Sequence, residues 1–235
     1  MKWPKVLVFT TIYDKKDYCL EEFVENAKKL TYPNMRHIYV DNTNDDGEYL
    51  QRLLDLGLDA HHVQRGGSSR EALARSQNFA RKMALDDEYD YLFSLESDLF
   101  PGGDVIQKLM RHCKDVVTAL YLLPVGGTDY QHPCVTLKAF NQQIGAWGTR
   151  LLTIEEVPQY KNAGLKRVQA GGFGVCLMSR RAFSMKAFMF DPRFLGHSDV
   201  YFFNEMFKAQ VPVFVDTDLF VEHKHEGLWS DVEDV

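Results

Sequence analysis

The residues best suited to chemistry are two carboxylates, Glu96 and Asp98. They lie in Leu95-Glu96-Ser97-Asp98, at the end of a strand-like run from Tyr89 to Leu95, and Phe100-Pro101-Gly102-Gly103 then turns the chain away. In an extended chain alternate side chains share a face, so both acids point the same way. At the carboxyl end of a parallel strand, where open α/β sheets take their ligands, such a pair suits a hard divalent cation that also holds a diphosphate. A solvated turn would carry the same residues. Two other strand ends are polar as well: Thr10-Thr11-Ile12-Tyr13-Asp14 and Val40-Asp41-Asn42-Thr43. Asp41 could accept from a base N–H and Tyr13 could stack on a ring, although Asp41-Asn42 also reads as an Asx-type turn. Arg75 and Asn78 stand three apart and so share one helix face. An exposed helix surface would look alike.

These groups need elements that bring strand ends together. Val6 to Thr10 is a short apolar run of β-formers, and Leu20, Phe23, Val24, Ala27 and Leu30 then repeat at helical spacing until Tyr32-Pro33-Asn34. His37 to Val40 reads as a second strand, Leu50, Leu53 and Leu54 as a short helix, and His61 to Val63 as a third strand. Ser68 and Glu71 stand at capping-box spacing ahead of a helix reaching Leu85. Strand and helix in alternation argue for an α/β fold with a parallel sheet and right-handed crossovers. Beyond Pro124 the alternation loosens. Strands are expected at Val135–Phe140 and Arg150–Glu155, helices near Arg180–Phe188 and over Asp199–Ala209, and a last strand or pair of strands over Val213–Val221. The expected organisation is one domain over residues 1–235, with a nucleotide-binding half at 1–125 and an irregular half at 126–235.

Composition narrows the classes. With 45% hydrophobic and 26% charged residues the chain is globular, not disordered. Lys plus Arg number 27 against 33 for Asp plus Glu, a net charge of −6, which disfavours a binder that neutralises many phosphates. Cys19, Cys113, Cys134 and Cys176 are scattered with no CxxC pair, so neither a disulfide scaffold nor a zinc knuckle is expected. Met1-Lys2-Trp3-Pro4-Lys5 leads straight into the first strand without a signal-peptide core, and no stretch reaches the roughly 18 apolar residues of a membrane span. A cytoplasmic protein is expected.

The layout resembles nucleotide-sugar-dependent glycosyltransferases of the GT-A fold, close to the large family-two type. The resemblance rests on Val6-Leu7-Val8-Phe9-Thr10-Thr11-Ile12-Tyr13, Ile38-Tyr39-Val40-Asp41-Asn42-Thr43, Ala74-Arg75-Ser76-Gln77-Asn78 and Tyr91-Leu92-Phe93-Ser94-Leu95-Glu96-Ser97-Asp98. It covers about the first 125 residues in the family's order and spacing. The resemblance implies a Rossmann-like single domain, with a mainly parallel central sheet flanked by helices and an irregular acceptor-side second half. By it, Thr11, Tyr13 and Asp41 hold the nucleobase and Arg75 lies near the base or phosphates. Glu96-Ser97-Asp98 stands where the family carries its DxD motif, with Glu in place of the first Asp. Asp98 is then the direct metal ligand and Glu96 contacts the ribose or a metal-bound water. Ala170-Gly171-Gly172-Phe173-Gly174 resembles the glycine-bearing segment beside the donor sugar, which singles out Gly172. Gly196-His197-Ser198-Asp199 resembles the motif that supplies the acceptor-activating base, Asp199, a residue whose position also suits a helix cap. Phe220-Val221-Glu222-His223-Lys224-His225 ends the last strand where some relatives add a histidine to the metal shell; His223, nearer the strand, is preferred over His225.

The function implied is transfer of a sugar from a nucleotide diphosphate donor to an acceptor hydroxyl. Carboxylate, phosphate oxygen and one imidazole favour Mn²⁺ over Mg²⁺, since nitrogen softens the site. Asp199 as base suits inversion, although retaining relatives pair similar motifs. The acceptor is a glycan, small molecule, protein or modified nucleic acid, and the stretch around Tyr130–Trp147 is its candidate region. Two alternatives stand beside this reading. A sugar nucleotidyltransferase would carry a Gly-rich loop straight after its first strand, whereas Gly148-Thr149-Arg150 lies mid-chain. A non-catalytic nucleotide-sugar binder would keep the binding groups but have no need of Asp199. A dinucleotide dehydrogenase lacks support, because no GxGxxG follows the first strand.

Overall fold

A computed structural model of the chain describes residues 2–124, 131–142, 145–194 and 196–224. Apolar β-formers make strand β1, Val6–Ile12, and helix α1, Leu20–Ala27, buries Leu20, Phe23, Val24 and Ala27. Strand β2 spans Met35–Asp41, helix α2 Glu48–Asp55 and strand β3 Ala60–His62. Helix α3, Ser69–Asp86, is capped by Ser68, whose hydroxyl accepts from the Glu71 amide at 3.2 Å. The Glu71 carboxylate reaches the amide of Gly67. Strand β4, Tyr91–Leu95, leads through the two acids into the two-residue strand β5, Leu99–Phe100. Helix α4, Val105–Met110, and strand β6, Val116–Leu120, follow.

The later chain is made of shorter pieces: strands β7 (Leu122–Pro124), β8 (Gln131–Pro133), β9 (Thr136–Asn141) and β10 (Ala146–Leu151), then helix α5 (Val157–Tyr160). Strands β11 (Leu165–Val168) and β12 (Val175–Ser179) precede helices α6 (Arg180–Ser184) and α7 (Ser198–Lys208). Strands β13 (Val213–Phe220) and β14 (Glu222–His223) close the series. The strand expected at Arg150–Glu155 is shifted. Pairing with β9 draws it back to Ala146–Leu151, and the Glu156 carboxylate, taking the Thr153 amide, turns Ile154–Glu156 into a 3₁₀ turn.

Eight strands form the central sheet in the order β11-β13-β6-β12-β4-β1-β2-β3. β1 runs parallel to β2 and β4, β2 to β3, and β6 to β13. β12 is inserted antiparallel between β4 and β6, and β11 is an antiparallel edge. Strands from the second part of the chain are thus interleaved with the first, and one buried apolar cluster runs through both. The sheet is mainly parallel and is flanked by helices. No helix among the described residues is long and apolar enough to cross a membrane.

His37 on β2 sits within this packing. Its Nε2 lies 2.9 Å from the hydroxyl of buried Thr10, and its ring stacks on Tyr39 at 4.4 Å. Burial pushes its pKa down to about 3, so the folded protein keeps the imidazole neutral where the unfolded chain takes up a proton. Because the unfolded state binds more protons below about pH 6.5, stability is lost as pH falls through that value. Urea unfolding from about pH 6.5 down to pH 4 should show a loss of at most about 1.4 kcal/mol per pH unit from this residue. His37→Gln, which retains a hydrogen-bonding group, should flatten that slope.

Candidate active site

Parallel strands β1, β2, β4 and β6 end at one edge of the sheet, and antiparallel β12 begins there. A cavity of about 290 Å³ opens at this edge, at the lower limit of the size of small-ligand sites. Thr11 and Tyr13 reach it from the end of β1, Asn42 from β2, Glu96, Ser97 and Asp98 from β4, and Tyr121 from beyond β6. Gly172 and Phe173 line it just before β12, and His197 and Asp199 at the start of α7. Of the expected residues, Thr11, Tyr13, Glu96, Asp98, Gly172 and Asp199 are therefore brought onto one wall system.

At one end the cavity is aromatic and polar. The Arg65 guanidinium lies 4.9 Å from the centre of the Tyr13 ring and donates to Asn42 Oδ1 at 3.0 Å. Asp41, expected at a base, sits behind this wall, fully buried. One of its oxygens accepts from the Thr43 amide at 2.8 Å and the other lies 2.8 Å from His62 Nδ1. Arg75 is turned to its own neighbourhood, bonding Glu71 at 2.6 Å and the Gln64 carbonyl at 3.3 Å. Asn78 clamps the backbone of Phe188 from both sides, donating to its carbonyl and accepting from its amide.

At the other end, buried acids meet cations. Asp98 Oδ2 lies 2.5 Å from Lys16 Nζ and 3.3 Å from His223 Nε2. The Lys16 turn, Asp14–Cys19, follows β1, and β14 delivers His223 by pairing with β5, directly opposite Leu99. His223 Nδ1 is 2.7 Å from the Leu122 carbonyl, so its proton is held there and Nε2 faces the carboxylate. Burial would raise the Asp98 pKa, but His223 and Lys16 more than offset this and hold it below the ordinary carboxylate value. Burial, with Asp98 beside it, pushes Glu96 up to about 7. His223 is not among the residues lining the cavity; it touches Asp98 from behind. His225 lies outside the described residues, as do Tyr130 and residues 143–144 of the expected acceptor stretch.

This donor set fits a divalent cation that also binds phosphate. A carboxylate oxygen and an imidazole nitrogen converge, the second ring nitrogen is fixed by a carbonyl, and the remaining ligands are left to oxygens of a substrate. The described residues hold no group of three or more His, Cys, Asp or Glu side chains ready to enclose a metal without such help.

Asp199 lies in the first turn of α7, where its carboxylate accepts from the Val200 amide. Desolvation raises its proton affinity above that of an ordinary aspartate. The preceding cap position is His197, whose side chain makes no capping bond, while Ser198 is buried and bonds Gln77 on α3 at 2.5 Å. Asp199 is thus anchored through its neighbours.

Sequence reasoning missed Lys16, Arg65, Gln77, Tyr121 and His197 as lining residues. Arg65 had a faint signal, the Gly66-Gly67 pair that follows it ahead of the Ser68 cap. Tyr121 directly follows the apolar run Val116–Leu120. Lys16 sits in a charged turn with no period and gave no signal.

A scan for sequence families finds no match, and no curated protein is detectably similar in sequence. Solved structures do match. One is GalNAc-T7 with UDP, GalNAc and Mn²⁺, at 15% identity and TM-score 0.65, covering 97% of this chain and 45% of that one. Another is the mannosyltransferase PcManGT from Pyrobaculum calidifontis with GDP-Man and Mn²⁺, at 15% identity and TM-score 0.59, covering 94% of this chain and 56% of that one. The chain has the GT-A fold of these glycosyltransferases and spans about half of their length.

The cavity wall depends on Gly172 for space. A Cβ there would lie 1.9 Å from the Tyr121 hydroxyl, which accepts from the Gly174 amide at 2.9 Å. Gly172→Ala should therefore cost about 1–3 kcal/mol, the range for overpacking. The measurement is the urea midpoint at constant m-value.

Proposed function

We propose that the protein is a metal-dependent glycosyltransferase that moves a sugar from a nucleoside diphosphate donor to an acceptor hydroxyl. The observation that carries this reading is the meeting, in one cavity of a GT-A fold, of Asp98, backed by His223 from behind the wall, with the Tyr13–Arg65–Asn42 cluster and Asp199. In this reading residues 1–125 hold the nucleotide and 126–235 supply the acceptor side within a single domain. Tyr13, Asn42 and Arg65 take the nucleobase with Thr11 beside them. Asp41 supports the base from behind, through the Thr43 amide and His62. Arg75 acts indirectly, by fixing Glu71 and the Gln64 loop next to Arg65.

Asp98 and His223 would hold the divalent ion, Mn²⁺ in preference to Mg²⁺ because one ligand is nitrogen. Bound there, such an ion neutralises charge developing on the departing diphosphate. Glu96 contacts the ribose or a water at that ion. Gly172, packed against the Tyr121 hydroxyl, forms the wall beside the donor sugar, and Asp199 takes the acceptor's proton in an in-line, inverting attack. The acceptor is taken on the His197 side of the cavity, with the stretch Tyr130–Trp147 as its candidate region. Four free cysteines suit a reducing, cytoplasmic setting.

The test is a panel of nucleotide sugars with Mn²⁺, scored for thermal shift, donor hydrolysis and transfer. A true donor raises the melting temperature by mass action, with about 2.7 kcal/mol of stabilisation at a hundred times Kd. Asp98→Asn and His223→Ala should each weaken Mn²⁺-dependent donor binding with the fold intact. Unchanged metal-dependent affinity in both variants would sink the site. Asp199→Asn should lower transfer by about 10²–10⁴-fold with donor affinity nearly unchanged. Asn also caps helices well, so lost stability with preserved turnover would point to a capping role instead. Donor binding with neither hydrolysis nor transfer would identify a binding protein.

A further inference from the structure

Lys16 brings a third group to the oxygen that Asp98 offers His223. Its Nζ is 2.5 Å from Asp98 Oδ2, with side-chain exposures of 15% for the lysine and 3% for the aspartate. The turn that carries it is pinned on several sides. The Asp14 amide donates to Thr43 Oγ1 at 3.1 Å, Asp17 pairs with Arg52, the Tyr18 hydroxyl donates to the Lys224 carbonyl at 3.1 Å and the Cys19 thiol to the Ser97 carbonyl at 3.3 Å. The backbone is fixed, while the four-carbon stem of a lysine stays adjustable. An ammonium and a divalent ion brought to one carboxylate oxygen repel each other and compete for it. Lys16 also lines the cavity that would hold the diphosphate.

Building on the metal-dependent reading above, we infer that Lys16 is a tethered cation that shares the Asp98 seat with the divalent ion and couples metal binding to diphosphate binding. Without nucleotide, the Lys16–Asp98 contact competes with the metal for the carboxylate. When a nucleoside diphosphate arrives, its oxygens offer the ammonium a second partner, and Asp98 is released to the metal. Metal and diphosphate then promote each other's binding, each raising the other's affinity by the same factor. A charge-assisted contact sets the size of the competition at about tenfold or more.

The test is titration of the whole protein with Mn²⁺, followed by electron paramagnetic resonance of the free ion, alone and with saturating UDP or GDP. The nucleotide used is whichever raises the wild-type melting temperature with Mn²⁺ present. Lys16→Met should bind Mn²⁺ alone about tenfold tighter than wild type. It should also bind the nucleotide more weakly without metal, and show a smaller coupling factor between the two. Lys16→Gln, which retains a hydrogen-bond donor, should shift in the same direction by less, and serves if the Met variant does not fold. In an Asp98→Asn background, Lys16→Met should no longer tighten Mn²⁺ binding. Unchanged Mn²⁺ affinity and coupling in both Lys16 variants, with Asp98→Asn still weakening the metal, would overturn the role of Lys16 and leave the site standing. Failure of wild type and variants alike to bind Mn²⁺ with either nucleotide would overturn the glycosyltransferase reading and this inference with it.

Discussion

Burying carboxylates at the end of a strand obliges the rest of the fold to bring positive charge to them. Asp98 is only 2% exposed, and an isolated charge in such a place would cost several kcal/mol. The chain answers from two remote places, the turn after β1 and the last strand pair. The Lys224 amide also donates to the Asp98 carbonyl at 2.9 Å, tying the terminal segment to the same residue through the backbone. Among the described residues the neighbouring Glu96 has no such ion pair, and burial with Asp98 beside it pushes its pKa up to about 7, so two acids two residues apart are shifted in opposite directions. That contrast follows from which acid the cations reach.

Strand β12 has the second organising effect. Because it runs against its neighbours, its start meets the ends of β4 and β6, and the glycines before it pack against Tyr121. Tyr121 in turn stands edge-on to His223, with ring centres 5.9 Å apart. The glycine segment, the tyrosine and the histidine are therefore one packed unit. The aromatic group of Phe173, Phe188, Phe202 and Phe203 seats α7 beside it, which fixes where Asp199 begins.

Much of this arrangement is legible in the sequence because it follows from local physics. The β1–α1–β2 unit, the Ser68 cap and the end of β4 follow from apolar period, cap spacing and strand-end polarity, and Thr11, Tyr13, Glu96 and Asp98 come together as their strand ends predict. What is not legible depends on contacts across large sequence distances. Arg65 meets Tyr13 across 52 positions and Lys16 meets Asp98 across 82, and no period or spacing encodes either pairing. Asp41 illustrates the converse. Its position after β2 is evident, but the direction of its carboxylate is settled by His62 on the neighbouring strand and by the Thr43 turn, the Asx geometry that its own sequence also allows.

At 15% identity, likeness to solved structures transfers a fold and no residue roles. What this chain can bind is decided by the charge balance inside its own cavity. Glu96, Asp98 and Asp199 line it against the cations Lys16 and Arg65, and a diphosphate would add further negative charge. With Arg65 committed to Tyr13 and Asn42, and Lys16 to Asp98, the lining as it stands has little positive charge left to offer an anion. A diphosphate can be held there only if another cation enters or if an existing pair opens. The Asp98–His223 geometry suits the first route and the Lys16 stem permits the second, and because both act on one carboxylate oxygen they are coupled.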